Sequence, residues 1–276
     1  MIFIKEHFDK ILEAYDNDYE GMNNAWGSQK NPNVFSEQIS RIEPKVSTIK
    51  LPENLITSFN YKNISRQKLR DLEESNFRKI IAILAWGGMQ ENHFVPCISG
   101  IPHGNLKKDK KNNRWRILEE LHSKSHSNIH DIERVVNKIT NDEYLSRADI
   151  YNDFFKLDLK GCGPAYFTKI MFFFSKKIPC CFIMDQWTSR SINLLLGKNL
   201  IKLDNKIAVN KRKYKDGKGN TGEVYEKFCN SVDILCDEIN KTSRTITPDE
   251  TEQLIFSRGG RENKKALWRE YLIKNS

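Results

Sequence analysis

Residues 157–165 read Leu157-Asp158-Leu159-Lys160-Gly161-Cys162-Gly163-Pro164-Ala165, between two stretches with helical apolar spacing. A Gly-x-Gly at the mouth of a helix permits positive φ and lets the backbone come close to a partner. Amides at a helix start sit at the positive end of its dipole and can grip a phosphate without side chains. Pro164 suits the first position of the helix that follows, where a missing N–H costs nothing. A turn of this composition alone is equally a plain connection between helices, so its surroundings decide the reading.

Outward from this turn the spacing is helical almost everywhere. Downstream lie a very apolar helix over 164–175 and another over 186–196, and upstream come helical patterns near 115–123, 129–139 and 142–157. Residues 77–86 are apolar nearly all round and stop at Gly87-Gly88, the pattern of a buried helix with a glycine terminator. Residues 223–240 carry Val224, Phe228, Val232, Leu235 and Ile239 on one stripe. Thr247-Pro248 followed by Glu250 is a cap, a first-position proline and an acidic first turn. A last helix is expected over 261–273, after Gly259-Gly260, and a first over 4–15, with Ile4, Phe8, Ile11, Leu12 and Tyr15 on one face. Residues 16–64 are polar, hold Pro32, Pro44 and Pro52, and read as irregular. The expectation is a mostly α protein forming a single two-lobed domain over 1–276. Residues 1–64 would be an N-terminal extension on a core of 65–276.

Composition narrows the function classes. The 276 residues are 38% hydrophobic and 29% charged with 14 Gly and 8 Pro, which excludes collagen-like, disordered and disulfide-scaffold chains. The longest apolar runs, 80–86 and 178–184, are far short of the roughly 20 residues of a spanning helix. Met1-Ile2-Phe3-Ile4 turns charged at Lys5-Glu6, with no signal-peptide core. Six cysteines, two adjacent at Cys180-Cys181, read as reduced core residues, so a cytoplasmic protein without a membrane is expected. Forty-five Lys and Arg against 36 Asp and Glu leave +9. The excess is concentrated: 105–116 hold six bases and one acid, and 202–219 seven bases and two acids. Two basic loops on a nearly neutral body suit a polyanion. Arg114 and Arg116, flanking Trp115, and Lys211, Arg212 and Lys213 are the candidate phosphate contacts.

The motif resembles that of the helix-hairpin-helix DNA glycosylases, the superfamily of endonuclease III, the adenine glycosylases and the 8-oxoguanine glycosylases. Their pattern is a helix, a Leu-x-Gly-hydrophobic-Gly hairpin, a second helix, then an Asp about twenty residues on and an Arg five after it. Here Leu159-Lys160-Gly161-Cys162-Gly163 is followed by Asp185 and Arg190, and the apolar approach Ile178-Pro179-Cys180-Cys181-Phe182-Ile183-Met184 precedes the acid. The resemblance covers about 145–196. With the long N-terminal region, it implies an 8-oxoguanine glycosylase-like helical fold with the hairpin motif at about 145–175.

What the resemblance implies can be assigned residue by residue. Asp185 would be the catalytic carboxylate, although an Asp there also suits the cap of the helix starting at Gln186. Lys160, Gly161, Cys162, Gly163 and Ala165 would hold a DNA phosphate. The carbonyls of Leu157, Leu159 and Cys162 match positions that hold a monovalent cation in relatives. Strand-nicking relatives carry a Lys where this chain has Ala165, so water would be the nucleophile. Lys169, one turn on, could reach the pocket as a substitute, contact phosphate or snorkel to solvent. Phe172 and Trp187 are candidate walls for a flipped base.

Cys229 and Cys236 share the opening spacing of an iron–sulfur loop, yet two further cysteines are missing from 237–276 and the pair falls on one helix stripe. No cluster or other cofactor is expected, and His122 and His126 lack a completing ligand. The function implied is release of a damaged or modified base from double-stranded DNA by a monomer acting in repair or in defence against viral DNA. A binding protein without turnover, or a Lys169-dependent abasic-site lyase, are the alternatives.

Overall fold

The computed structural model describes residues 3–19, 66–71, 73, 76, 79–80, 83, 126–141, 146–157, 162–175, 181–204, 213–214, 219–257 and 266–275. Among these the chain is mostly helical, as expected. The helices are α1 (Lys5–Ala14), continued by a π turn over Tyr15–Tyr19, then α2 (Arg66–Arg70), α3 (His126–Thr140), α4 (Arg147–Lys156), α5 (Pro164–Phe174) and α6 (Gln186–Leu196). After a two-residue antiparallel pair, β1 (Leu203–Asp204) with β2 (Lys213–Tyr214), come α7 (Gly222–Asn240), α8 (Pro248–Phe256) and α9 (Leu267–Asn275). No helix among the described residues is long and apolar enough to cross a membrane.

The chain divides into two compact units. One comprises Met1–Ala25, Tyr144–Asn152 and Lys177–Ser276; the other comprises Trp26–Glu143 and Asp153–Lys176. This division differs from the expected boundary after residue 64. The reason is non-local: α1 packs its buried Ile11 and Ala14 against α6, α8 and α9, so the N-terminal helix belongs with the C-terminal ones. The Ile4 amide donates to the Leu195 carbonyl at 2.8 Å, tying the start of α1 to the end of α6.

In this first unit the ends of the helices follow the sequence signals. Gly197 closes α6 at φ 62, a conformation that favours glycine. Thr247 and Glu250 cap α8 reciprocally, with Pro248 inside. Thr221 caps α7, whose buried face includes Tyr225, Phe228, Cys229, Val232, Leu235, Cys236 and Ile239. Cys229 and Cys236 therefore pack in the core, as their seven-residue spacing indicates. Gly222 marks a close crossing of α7 and α4: a Cβ there would lie 2.4 Å from the Ala148 carbonyl oxygen. Its amide donates to Asn152 Oδ1 at 3.0 Å. Three helices meet through one hydroxyl. Trp268 Nε1 of α9 donates to Ser191 Oγ of α6 at 2.9 Å, and that hydroxyl donates to the Ile255 carbonyl of α8 at 2.7 Å.

In the second unit α5 is the hub, packed by α2 and α3 and buried on nearly every side. Phe154 and Phe167 stack with ring centroids 5.8 Å apart and planes within 2°. Lys79, Ile80 and Ile83 are helical and buried, in accord with the apolar reading of 77–86. The patterns at 87–88, 115–123 and 16–64 fall outside the described residues, apart from the π turn and those already named.

Candidate active site

The first unit assembles a site around the start of α6. Residues 181–185 lead into it in neither helix nor strand, and Cys181, Phe182, Ile183 and Met184 are all buried. Buried backbone outside a helix or ladder must find hydrogen bonds elsewhere. The Tyr225 hydroxyl supplies two, donating to the Phe182 carbonyl at 2.8 Å and accepting from the Phe182 amide at 3.1 Å. The Thr188 hydroxyl supplies two more, donating to the Ile183 carbonyl at 2.8 Å and accepting from the Asp185 amide at 2.9 Å.

The approach delivers Asp185 to the N-cap of α6. Its Oδ1 accepts from the Trp187 amide at 2.7 Å and the Thr188 amide at 3.0 Å, and with Thr188 completes a capping box. Among the described residues Oδ2 takes no hydrogen bond. The two readings of Asp185 are thus compatible atom by atom: one oxygen holds the helix, and the other is engaged by none of the described residues.

Trp187, half-buried, stands beside this carboxylate, and two buried arginines bear on its ring. The Arg269 guanidinium lies 3.6 Å from the ring centroid and that of Arg190 4.8 Å. Arg269 is 2% exposed. Its Nη2 donates to the carbonyls of Phe256 and Ser257, each at 2.5 Å, at the negative end of α8. Burial pushes the Arg269 guanidinium down to about 10; the Asp185 charge opposes this and the Arg190 charge adds to it. Arg269 remains a cation at neutral pH. Ser257, buried, has left α8 at φ 54, an uncommon conformation for a residue with a Cβ.

Sequence reasoning gave Arg190 a place in the motif and Arg269 none. A signal was present: Arg269 lies between Trp268 and Leu272, both buried, so a cation occupies an apolar helix stripe. Only the fold shows what it reaches.

The described residues of the expected hairpin, Leu157, Cys162, Gly163 and Ala165, lie in the second unit. Gly163 caps α5 with φ −69 and ψ 179, an extended conformation open to any residue, so the positive φ that glycine permits is not used there. Among the described residues nothing lies within 4 Å of where its Cβ would stand. Its carbonyl accepts from the amides of Tyr166 at 2.8 Å and Phe167 at 3.2 Å. Cys162 is buried, and burial pushes its thiol up to about 12 against the pull of the Lys169 charge. Leu159, Lys160 and Gly161 lie outside the described residues, as do Arg114, Arg116, Lys211 and Arg212, while Leu157 follows the end of α4 in a turn and Lys213 begins β2. The proposed cation ligands are therefore described only at Leu157 and Cys162, and no group of three or more potential metal-binding side chains occurs among the described residues.

Two expectations change. Lys169 is 9% exposed, and its ammonium donates to the Ala165 carbonyl of its own helix at 2.5 Å. It neither snorkels to solvent nor stands free as a nucleophile in this structure. Phe172 is 0% exposed, and the guanidiniums of Arg66 and Arg70 lie 3.9 and 4.3 Å from its ring centroid. Its ring is packed within the second unit instead of presented to a base, because α5 is apolar nearly all round. Of the two proposed stacking aromatics, only Trp187 is partly accessible.

A mostly helical chain of this kind is consistent with a mostly-α glycosylase fold. The family model described as "Putative 8-oxoguanine DNA glycosylase OGG-like protein" matches residues 28–256, and the chain belongs to that family. No curated protein and no solved structure matches the chain.

Proposed function

We propose that the protein is a monofunctional DNA glycosylase that hydrolyses the bond between a damaged or modified base and deoxyribose in double-stranded DNA, acting as a monomer. Family membership supports the reaction class and DNA as the partner. The single observation that carries the assignment to residues is the division of labour in the Asp185 carboxylate, Oδ1 on two amides and Oδ2 free of hydrogen bonds among the described residues.

As the C1′–nitrogen bond breaks, its electron pair leaves with the base and the sugar becomes cation-like. A carboxylate oxygen beside that carbon stabilises the charge. Water then adds to C1′, and Oδ2 accepts the proton it releases. Ala165 offers no amine for a Schiff base, and Lys169 is spent on its own helix, which weighs against the lyase alternative. Among the described residues nothing lies within 4 Å of a Cβ at Gly163, at the start of α5, which suits a phosphate approaching the amides there.

The test is release of free base, read by mass spectrometry, from duplexes carrying oxidised purines, alkylated bases and virus-type hypermodified bases. The expected result is one class of base released by the wild type and not by Asp185→Asn, with abasic sites revealed only on alkali treatment. Binding to DNA with no release from any duplex would replace this reading with that of a binding protein.

A further inference from the structure

We infer that Arg269 is a positioning residue for Asp185: stacked on Trp187 and anchored to the end of α8, it fixes the first turn of α6 and thereby the carboxylate presented there. The inference rests on the proposed function, and carries it to a residue that no motif marks.

A chain of contacts within the first unit links Arg269 to Asp185. The Trp187 amide is one of two donors that hold Asp185 Oδ1, at 2.7 Å, so whatever fixes residue 187 also fixes the direction of Oδ2. A partly exposed tryptophan at the second position of a helix has no backbone constraint on its ring. Here a guanidinium 3.6 Å from the ring centroid supplies one. That guanidinium is itself held by the carbonyls of Phe256 and Ser257 on a single nitrogen. A planar cation suits this arrangement, since it stacks through its face while donating from its edge.

A buried arginine is costly to a fold unless its charge is used. Its Nε finds no hydrogen-bond partner among the described residues, so packing and backbone satisfaction leave part of the side chain unaccounted for. Asp185 is the anion whose charge acts on it, and Arg190 adds a second cation to the same ring. The face of Trp187 that carries Arg269 is therefore occupied by protein. A base entering beside Asp185 meets a ring already locked, not one free to swing.

The experiment compares wild type, Arg269→Met, Arg269→Lys, Trp187→Leu and the Arg269→Met/Trp187→Leu double variant on the duplex identified by the base-release panel. Single-turnover release, duplex affinity by fluorescence anisotropy and melting temperature are measured for each. Arg269→Met is expected to slow release by up to about 100-fold, the scale of a misplaced reacting group, with duplex affinity within about threefold. Arg269→Lys recovers part of the rate by restoring the charge without the planar stack. The losses in Arg269→Met and Trp187→Leu are non-additive in the double variant, because both act through the same turn. Emission assigned to Trp187, taken as the difference between proteins with Trp187 and with Trp187→Phe, shifts in Arg269→Met whether or not any base is released.

Folded Arg269→Met that releases base at the wild-type rate overturns the inference and leaves the proposed function standing. Fully additive losses, or a Trp187 emission indifferent to Arg269, overturn it equally. Absence of release by the wild type refutes the proposed function and this role with it. Should Arg269→Met fail to fold, Arg269→Lys and Trp187→Leu carry the same comparison.

Discussion

Substituting Asp185 by Asn and by Ala separates the two jobs of this side chain. Asn keeps an oxygen at the Oδ1 position, where the amides of Trp187 and Thr188 lie at 2.7 and 3.0 Å, and places an NH2 where Oδ2 stands. Ala removes both. Loss of an N-cap acceptor costs about 1 kcal/mol and up to about 2, which in a chain of this size lowers the melting temperature by about 2–4 °C per kcal/mol. Both substitutions also remove the anion that offsets the burial of Arg269, so that loss cancels between them. Asp185→Asn is therefore expected to be more stable than Asp185→Ala by about 1 kcal/mol in urea denaturation, while both lose base release by roughly 100- to 1,000-fold. Equal stability of the two variants would mean that the cap is not made through Oδ1. Retained release in Asp185→Asn would mean that the carboxylate is a cap and nothing more.

Gly222→Ala drives a methyl to 2.4 Å from the Ala148 carbonyl and 2.6 Å from Asn152 Nδ2, so α7 and α4 must part. A loss of about 1–3 kcal/mol in chemical denaturation is expected, and an unchanged midpoint would show that the crossing is looser than described. Cys162, Cys181, Cys229 and Cys236 are all buried, and the Cys162 thiol is pushed up to about 12 by its burial. Because the thiolate is the reactive form, peptide mapping after iodoacetamide treatment should find Cys162 unmodified at pH 9, where an ordinary thiol is largely ionised, and modified once the protein is unfolded. Labelling of native Cys162 at the rate of a free thiol would contradict its placement.

What could be read from the sequence was what is local. Thr247, Pro248 and Glu250 announce the start of α8 within four residues, and Leu196 followed by Gly197 announces the end of α6, because caps depend on neighbours along the chain. Asp185 was legible twice, as the acid of a motif and as a cap, and the cap is what the structure shows, made through Oδ1. The burial of Phe172 and Lys169 was not legible. Spacing places both on α5, but how much of that helix is covered depends on α2 and α3 from far along the chain. Arg269 was hidden for the same reason, eighty-four positions after Asp185 and meaningful only through Trp187. The pairing of α1 with the C-terminal helices, against the expected N-terminal extension, is a further non-local fact that periodicity does not encode.

The hydroxyl of Tyr225 serves both backbone groups of Phe182, in a segment that belongs to no helix or ladder. Any protection of that one amide against exchange with solvent deuterium is consequently borrowed from α7. Phe182 carries, in an irregular stretch three residues ahead of the catalytic candidate, a clock set by the undocking of a helix more than forty residues away in the chain. Tightening or loosening that helix anywhere along its nineteen residues would reset the steadiness of the backbone that aims Asp185, without touching the approach itself.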